Sequence, residues 1–207
     1  MSDLTLYSNP MSRGRIARWM LEEVGEPYEA VMLDFGTTMK APDFLRLNPM
    51  GKVPTLTHGD IVVTEAAAVC AYLADAFPRA GLAPPPVDRG TYYRWLFFAA
   101  GPLEAAVTNK AFGFDAPDKK VSLGYGSYED TLAALETALA PGPHICGDQF
   151  TAADVAVGSQ LGWGMMFGTI DKRPAFQDYV ARLYARPAYI RASELDDAAM
   201  PKQEQPA

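Results

Sequence analysis

Soft metal ligands, excess positive charge and long apolar runs are all scarce in this chain. Its 207 residues include two cysteines and two histidines. Cys70 and Cys146 are far apart and outside any Cys-x-x-Cys, so dithiol exchange of the thioredoxin kind lacks its residues. His58 adjoins Gly59 and His144 adjoins Pro143, both in expected loops, and no Cys/His spacing suits zinc, so we expect no metal. Lys and Arg number 18 against 25 Asp and Glu, a net charge of −7, which argues against nucleic acid or an anionic membrane as partner. No stretch approaches the roughly 18 uninterrupted apolar residues of a membrane span. The start, Met-Ser-Asp-Leu-Thr-Leu-Tyr, has no basic segment leading into an apolar run, and we expect a cytoplasmic protein.

What remains is an ordinary globular composition, 49% hydrophobic and 21% charged, long enough for one large or two modest domains. The first third reads as strand, helix, strand, short helix, hairpin, helix. Residues 3–7 suit a strand. Residues 13–24 place Ile16, Trp19, Met20 and Val24 on one helical face, with Gly25 as the stop. Residues 28–33 resume a strand, parallel to the first because a helix separates them. Residues 53–57 and 60–63, split by His58-Gly59, suit an antiparallel hairpin. The pattern is βαβαββα, a thioredoxin-like α/β domain over residues 1–78. Cys70 shares an apolar face with Val69, Leu73 and Phe77 and reads as a small core residue.

Pro78, Gly81, Pro84, Pro85 and Pro86 then crowd together, an irregular linker at 79–88. Beyond it the patterns are helical, over 89–109, 128–140, 152–167 and 175–184, giving an all-α domain at 89–193. The polar, acidic stretch 194–207 reads as a disordered tail. Thr151 and Asp154 have capping-box spacing, with Phe150 and Val155 as the apolar staple, a structural rather than chemical signature.

Two short segments carry the functional signal. Asn48-Pro-Met-Gly-Lys-Val-Pro-Thr-Leu56 places proline where a turn enters a strand, a context that suggests a cis Val53-Pro54 bond. Such a bond turns the Val53 N–H and C=O away from the sheet, free to pair with an extended peptide. Glu65-Ala66 then opens a helix eleven residues after Pro54. A helix N-terminus offers N–H donors to a carboxylate, and a glutamate beside it can accept from an ammonium. A first-turn acid also complements any helix dipole, and Lys52 can be read as a solvated turn lysine, but order and spacing together make a cradle for a peptide-like ligand.

These segments resemble the glutathione-binding half of the cytosolic glutathione S-transferase family, in its bacterial-type, serine- or tyrosine-type forms. The likeness runs from Leu4 to about Tyr189. It implies a transferase that binds glutathione as co-substrate, and a homodimer. It also implies that Val53, beside Pro54, pairs with the cysteinyl peptide, that Glu65 and the Ala66 amide hold the γ-glutamyl end, and that Lys52 and Lys40 meet the glycyl carboxylate. The family usually has serine where Ala66 stands; the missing hydroxyl removes a contact of about 1.5–3 kcal/mol and implies weaker binding.

Transfer needs the thiolate, and a thiol of pKa about 8.5 is only a few per cent ionised at neutral pH. The donor to sulfur implied by the family lies in Tyr7-Ser-Asn-Pro-Met-Ser-Arg13, where Ser12 and Tyr7 are the candidates and Asn9 and Arg13 can also donate. Ser12 equally suits an N-cap and Tyr7 a strand end. For a small hydrophobic electrophile the candidate walls are Met11, Phe97, Phe112, Trp163, Met166 and Phe167, and the Gly162-to-Gly168 segment has the composition of an adaptable pocket. Two other readings share the cradle: a non-catalytic binding or scaffold protein, and a glutathione-dependent disulfide or peroxide reductase, which the absence of a cysteine at the junction disfavours.

Overall fold

A computed structural model of the chain describes residues 3–114 and 117–200. The first half is a four-stranded mixed sheet of order β2-β1-β3-β4, built from β1 (Leu4–Ser8), β2 (Glu29–Met32), β3 (Thr55–His58) and β4 (Ile61–Thr64). β1 runs parallel to β2 and antiparallel to β3, with Leu6 opposite both Ala30 and Leu56. The register keeps Leu4, Leu6 and Leu56 on one face, where α1 (Gly14–Val24) and α3 (Ala66–Ala76) cover them through Ile16, Trp19, Met20, Val69 and Leu73. On the other face α2 (Pro42–Leu47) brings Phe44 over Leu33 and Met39 in a small separate cluster. Gly25, at φ 78°, ends α1 as expected.

The proline-rich connection is less irregular than its composition suggests. Pro78–Ala80 and Pro86–Asp88 are single 3₁₀ turns, because proline's fixed φ suits the first position of a turn. The helical half holds α4 (Gly90–Phe98), α5 (Glu104–Ala111), α6 (Tyr128–Leu139), α7 (Ala152–Phe167), α8 (Pro174–Tyr184) and α9 (Pro187–Ala198). α4 and α5 do not form the single helix expected over 89–109. Pro102 lacks the N–H of a regular turn, and Ala99–Leu103 forms a π turn around it.

The expected tail also needs correction. Residues 194–198 belong to α9, and Asp196 is buried against Arg18 of α1. The rest of that expectation, at 201–207, lies outside the described residues. α7 runs through the centre, and its capping box forms: the Asp154 carboxylate accepts the Thr151 N–H at 2.8 Å. It also accepts the Ile145 N–H and the Tyr179 hydroxyl, each at 2.8 Å. No helix among the described residues is long and apolar enough to cross a membrane.

Candidate functional site

Two cavities meet where the halves face each other. The first, about 310 Å³, takes Lys52, Val53, Pro54, Glu65 and Ala66 from the sheet half and Ala99, Ala100, Glu104 and Gln160 from the helical half. The π turn is what brings Ala99 and Ala100 to this wall.

The turn into β3 is fixed from behind. Buried Asn48 donates through Nδ2 to the Lys52 carbonyl at 2.8 Å, and the Thr55 hydroxyl donates to the same oxygen at 3.1 Å. The Val53–Pro54 bond is cis. The Val53 N–H and C=O have no hydrogen-bond partner among the described residues, so an extended ligand can pair with them.

Glu65 is the N-cap residue of α3, but its side chain is not used for the cap. Its backbone stands at φ 67° and ψ 122°, a conformation seldom adopted outside glycine. The first intrahelical bond of α3 is from Val69 N–H to Glu65 C=O at 2.9 Å, so the preceding N–H groups lack intrahelical acceptors while Ala66 and Ala67 line the cavity. Donors and a carboxylate therefore stand side by side, as a ligand bearing both an ammonium and a carboxylate requires.

Lys52 lines this cavity and Lys40 does not. The Lys40 ammonium donates to the Met50 carbonyl at 2.8 Å, across the turn at Gly51. That turn requires glycine: φ is 57°, and a Cβ there would stand 2.6 Å from the Met39 carbonyl oxygen.

The second cavity, about 610 Å³, is walled by Met11, Ser12, Val107, Trp163, Met166 and Phe167. The last three lie one turn apart at the C-terminal end of α7 and so share a face. The flanking glycines are not slack: Cβ atoms at Gly162 and Gly164 would collide with Tyr184 and Ile170. They serve close packing rather than an adaptable pocket. Phe97 and Phe112 line neither cavity. On α4 the inward positions belong to Trp95 and Leu96, which leaves Phe97 73% exposed beside Tyr93, while Phe112 lies past the end of α5 against Phe114.

Of the sulfur-donor candidates, Ser12 lines the second cavity. Its hydroxyl donates to the Asn9 carbonyl at 2.7 Å and accepts the Gly14 N–H at 2.9 Å. Tyr7 lines neither cavity; β1 alternation sends it to the α2 side, its ring 5.6 Å from that of Phe44. Asn9 is buried and donates to the Leu33 carbonyl. Arg13 and Gln160 line both cavities. Arg13 pairs with Glu104 at 2.8 Å, and Gln160 Nε2 lies 3.5 Å from the same carboxylate, so a polar bar crosses the boundary between the cavities. Sequence reasoning missed Glu104 and Gln160, although Gly101-Pro102 marks the break that sets Glu104 at the start of α5. Neither cysteine reaches a cavity, and burial pushes the Cys70 thiol up to about 12 and that of Cys146 to about 11.

Known proteins resemble this chain in sequence and fold. Residues 2–75 match the glutathione S-transferase N-terminal domain and residues 104–182 the C-terminal domain. Glutathione S-transferase 3 of Zea mays is 33% identical over 167 residues, 74% of this chain and 75% of its own. A glutathione transferase structure from Methylococcus capsulatus superposes with a TM-score of 0.76 at 31% identity, covering 94% of this chain and 99% of that one. A sphingomonad glutathione S-transferase complexed with glutathione gives the same TM-score and identity over 93% of this chain and 98% of its own. With the cis-proline turn and the open N-terminus of α3 facing one cavity, and both domain models matched in order, the chain belongs to the glutathione S-transferase family.

Proposed function

We propose that this chain is a glutathione transferase that binds glutathione in the first cavity and directs its thiolate at an electrophilic carbon held in the second. The observation that carries the reading is the shared wall. A polar cradle of Val53, Glu65 and the first turn of α3 opens onto the same boundary as an apolar cavity, with Arg13 and Gln160 belonging to both. Glutathione lies extended along Val53, its γ-glutamyl carboxylate at the Ala66 amide, its ammonium at Glu65 and its glycyl carboxylate near Lys52. Lys40, held by Met50, contributes at longer range.

In this reading Ser12 hydrogen-bonds the sulfur by exchanging its Asn9 acceptor for the thiolate, while Arg13 supplies positive charge at the boundary. The thiol proton leaves to solvent, sulfur attacks the carbon and the leaving group departs with its electron pair. Ser12 stands ahead of Tyr7 because it opens onto the electrophile cavity. The two units divide at residues 79–88, the protein works in the cytoplasm, and it acts as a homodimer. The exposed apolar groups Met50, Ile61, Val62 and Phe97 are available for a subunit contact. Sedimentation giving the mass of a single chain alone removes the dimer.

The test of the activity is calorimetry of glutathione binding at neutral pH in buffers of different ionisation enthalpy. Binding with nearly one proton released supports a site that ionises the thiol. Binding without release favours the scaffold reading, and no binding rejects the cradle.

A further inference from the structure

β1 ends on a hydroxyl that has nothing to bond. Ser8 is fully buried, and its Oγ has no hydrogen-bond partner among the described residues, although its carbonyl accepts the Leu33 N–H at 2.8 Å. A buried hydroxyl left unpaired keeps its full desolvation penalty, so an orphan of this kind needs an explanation. The start of α1 supplies one. A Cβ on Gly14 would stand 2.0 Å from Ser8 Oγ and 3.0 Å from Ser12 Oγ, so the two hydroxyls converge on the side of Gly14 that carries no side chain. Gly14 is helical and is not at positive φ, so its backbone does not require glycine; the space between the hydroxyls does. Ser12 Oγ donates to the Asn9 carbonyl and accepts the Gly14 N–H, which leaves one of its two lone pairs without a donor among the described residues. An unused donor and an unused acceptor thus border the same gap.

We propose that Ser8 is a positioning residue for the transfer: when Ser12 turns its proton from the Asn9 carbonyl to the glutathione sulfur, the Ser8 hydroxyl donates to Ser12 Oγ. With the Gly14 N–H on one lone pair and Ser8 on the other, Ser12 can meet sulfur only as a donor. A thiolate accepts such a bond, whereas a thiol S–H pointing at Ser12 would find no lone pair to receive it, so the arrangement favours the ionised form. Polarisation along the chain from Ser8 through Ser12 strengthens the bond to sulfur in the same direction. Ser8 touches neither substrate nor cavity and acts through Ser12 alone. The inference rests on the transferase reading and on Ser12 as the sulfur donor.

The test titrates protein-bound glutathione by the ultraviolet absorbance of its thiolate, in the wild type, Ser8→Ala, Ser12→Ala and the double variant. We expect Ser8→Ala to raise the bound thiol pKa by about 0.3–0.5 unit, a two- to threefold loss of thiolate on the acid side, with the acid limb of the pH–rate profile moving equally. Its melting temperature should be unchanged or higher, because an unpaired buried hydroxyl is removed. In the Ser12→Ala background the same change should shift nothing further. Ser8→Cys, which fills the space with a weak donor, should follow Ser8→Ala. An unshifted pKa in Ser8→Ala, an equal shift in the Ser12→Ala background, or a wild-type pKa in Ser8→Cys overturns the inference while leaving the transferase reading intact. A clear fall in the melting temperature of Ser8→Ala would mean that the hydroxyl is already bonded in the free protein, and overturns it as well. A wild type that does not ionise bound glutathione removes the transferase reading and the inference together.

Discussion

Glu65 holds a backbone conformation that a residue with a Cβ adopts only at a cost of roughly 1–3 kcal/mol. Stability alone would favour glycine here, and the side chain that stands in its place lines the cavity. Glu65→Gly should raise the melting temperature by roughly 2–4 °C, from relief of about 1 kcal/mol. The same change should weaken glutathione at least about tenfold. A variant that binds normally would return Glu65 to a purely local role. Ser12→Ala should lower kcat at least about tenfold and move the acid limb of the pH–rate profile up by about one unit, while Tyr7→Phe should do neither. A Ser12→Ala enzyme at full rate would leave Arg13 as the activating group. The binding side chain was legible at this scale because the interval from Pro54 to Glu65 is distinctive. The positive φ was not, since it arises only where β4 hands over to α3.

At the scale of elements, α7 shows how one helix serves both packing and site. Gly158 and Gly162 are four residues apart on the face toward α8, where added Cβ atoms would strike Leu183 and Tyr184. Trp163, the next residue, and Met166, one turn beyond Gly162, line the electrophile cavity. Gly162→Ala should therefore destabilise by about 1–3 kcal/mol through overpacking, because Tyr184 is stacked on Tyr189 and has little room to yield. Thermal melting checks this, and an unaltered melting temperature would mean the α7–α8 contact is looser than its geometry. The extent of α7 was readable from its capping box and apolar content, but which side each residue faced was not. With nearly every position of α7 buried, no polar face sets the phase. The π turn between α4 and α5 was similarly hidden, since the pattern continues across it and Gly101-Pro102 alone marks it.

Over the whole molecule, α1 is the piece through which the halves hold together. Arg13 reaches Glu104, Arg18 reaches Asp196 at 2.7 Å, Glu23 pairs with Arg186 at 2.7 Å and Glu22 with Arg191 at 2.7 Å. Composition suggested disorder at residues 194–198 because the apolar contacts of α9, through Tyr189 on Trp19 and Tyr184, fall in its first turns, while its end is held by charge. Its buried residues are Ala192 and Asp196, which give no apolar period. Asp196→Ala leaves Arg18 buried without its carboxylate and should cost about 3–5 kcal/mol. Denaturant unfolding checks this, and a loss below about 1 kcal/mol would show that Arg18 finds another acceptor.

The docking of α9 on α1 also has a consequence in time. About 170 residues separate the end of one from the end of the other, so at roughly 5–20 residues per second the ribosome takes on the order of ten seconds or more to supply the partner of Arg18. For the later part of that interval, once α3 has been made, the sheet half stands without the α9 that covers one flank of α1. Its final closure waits on the emergence of the last described helix.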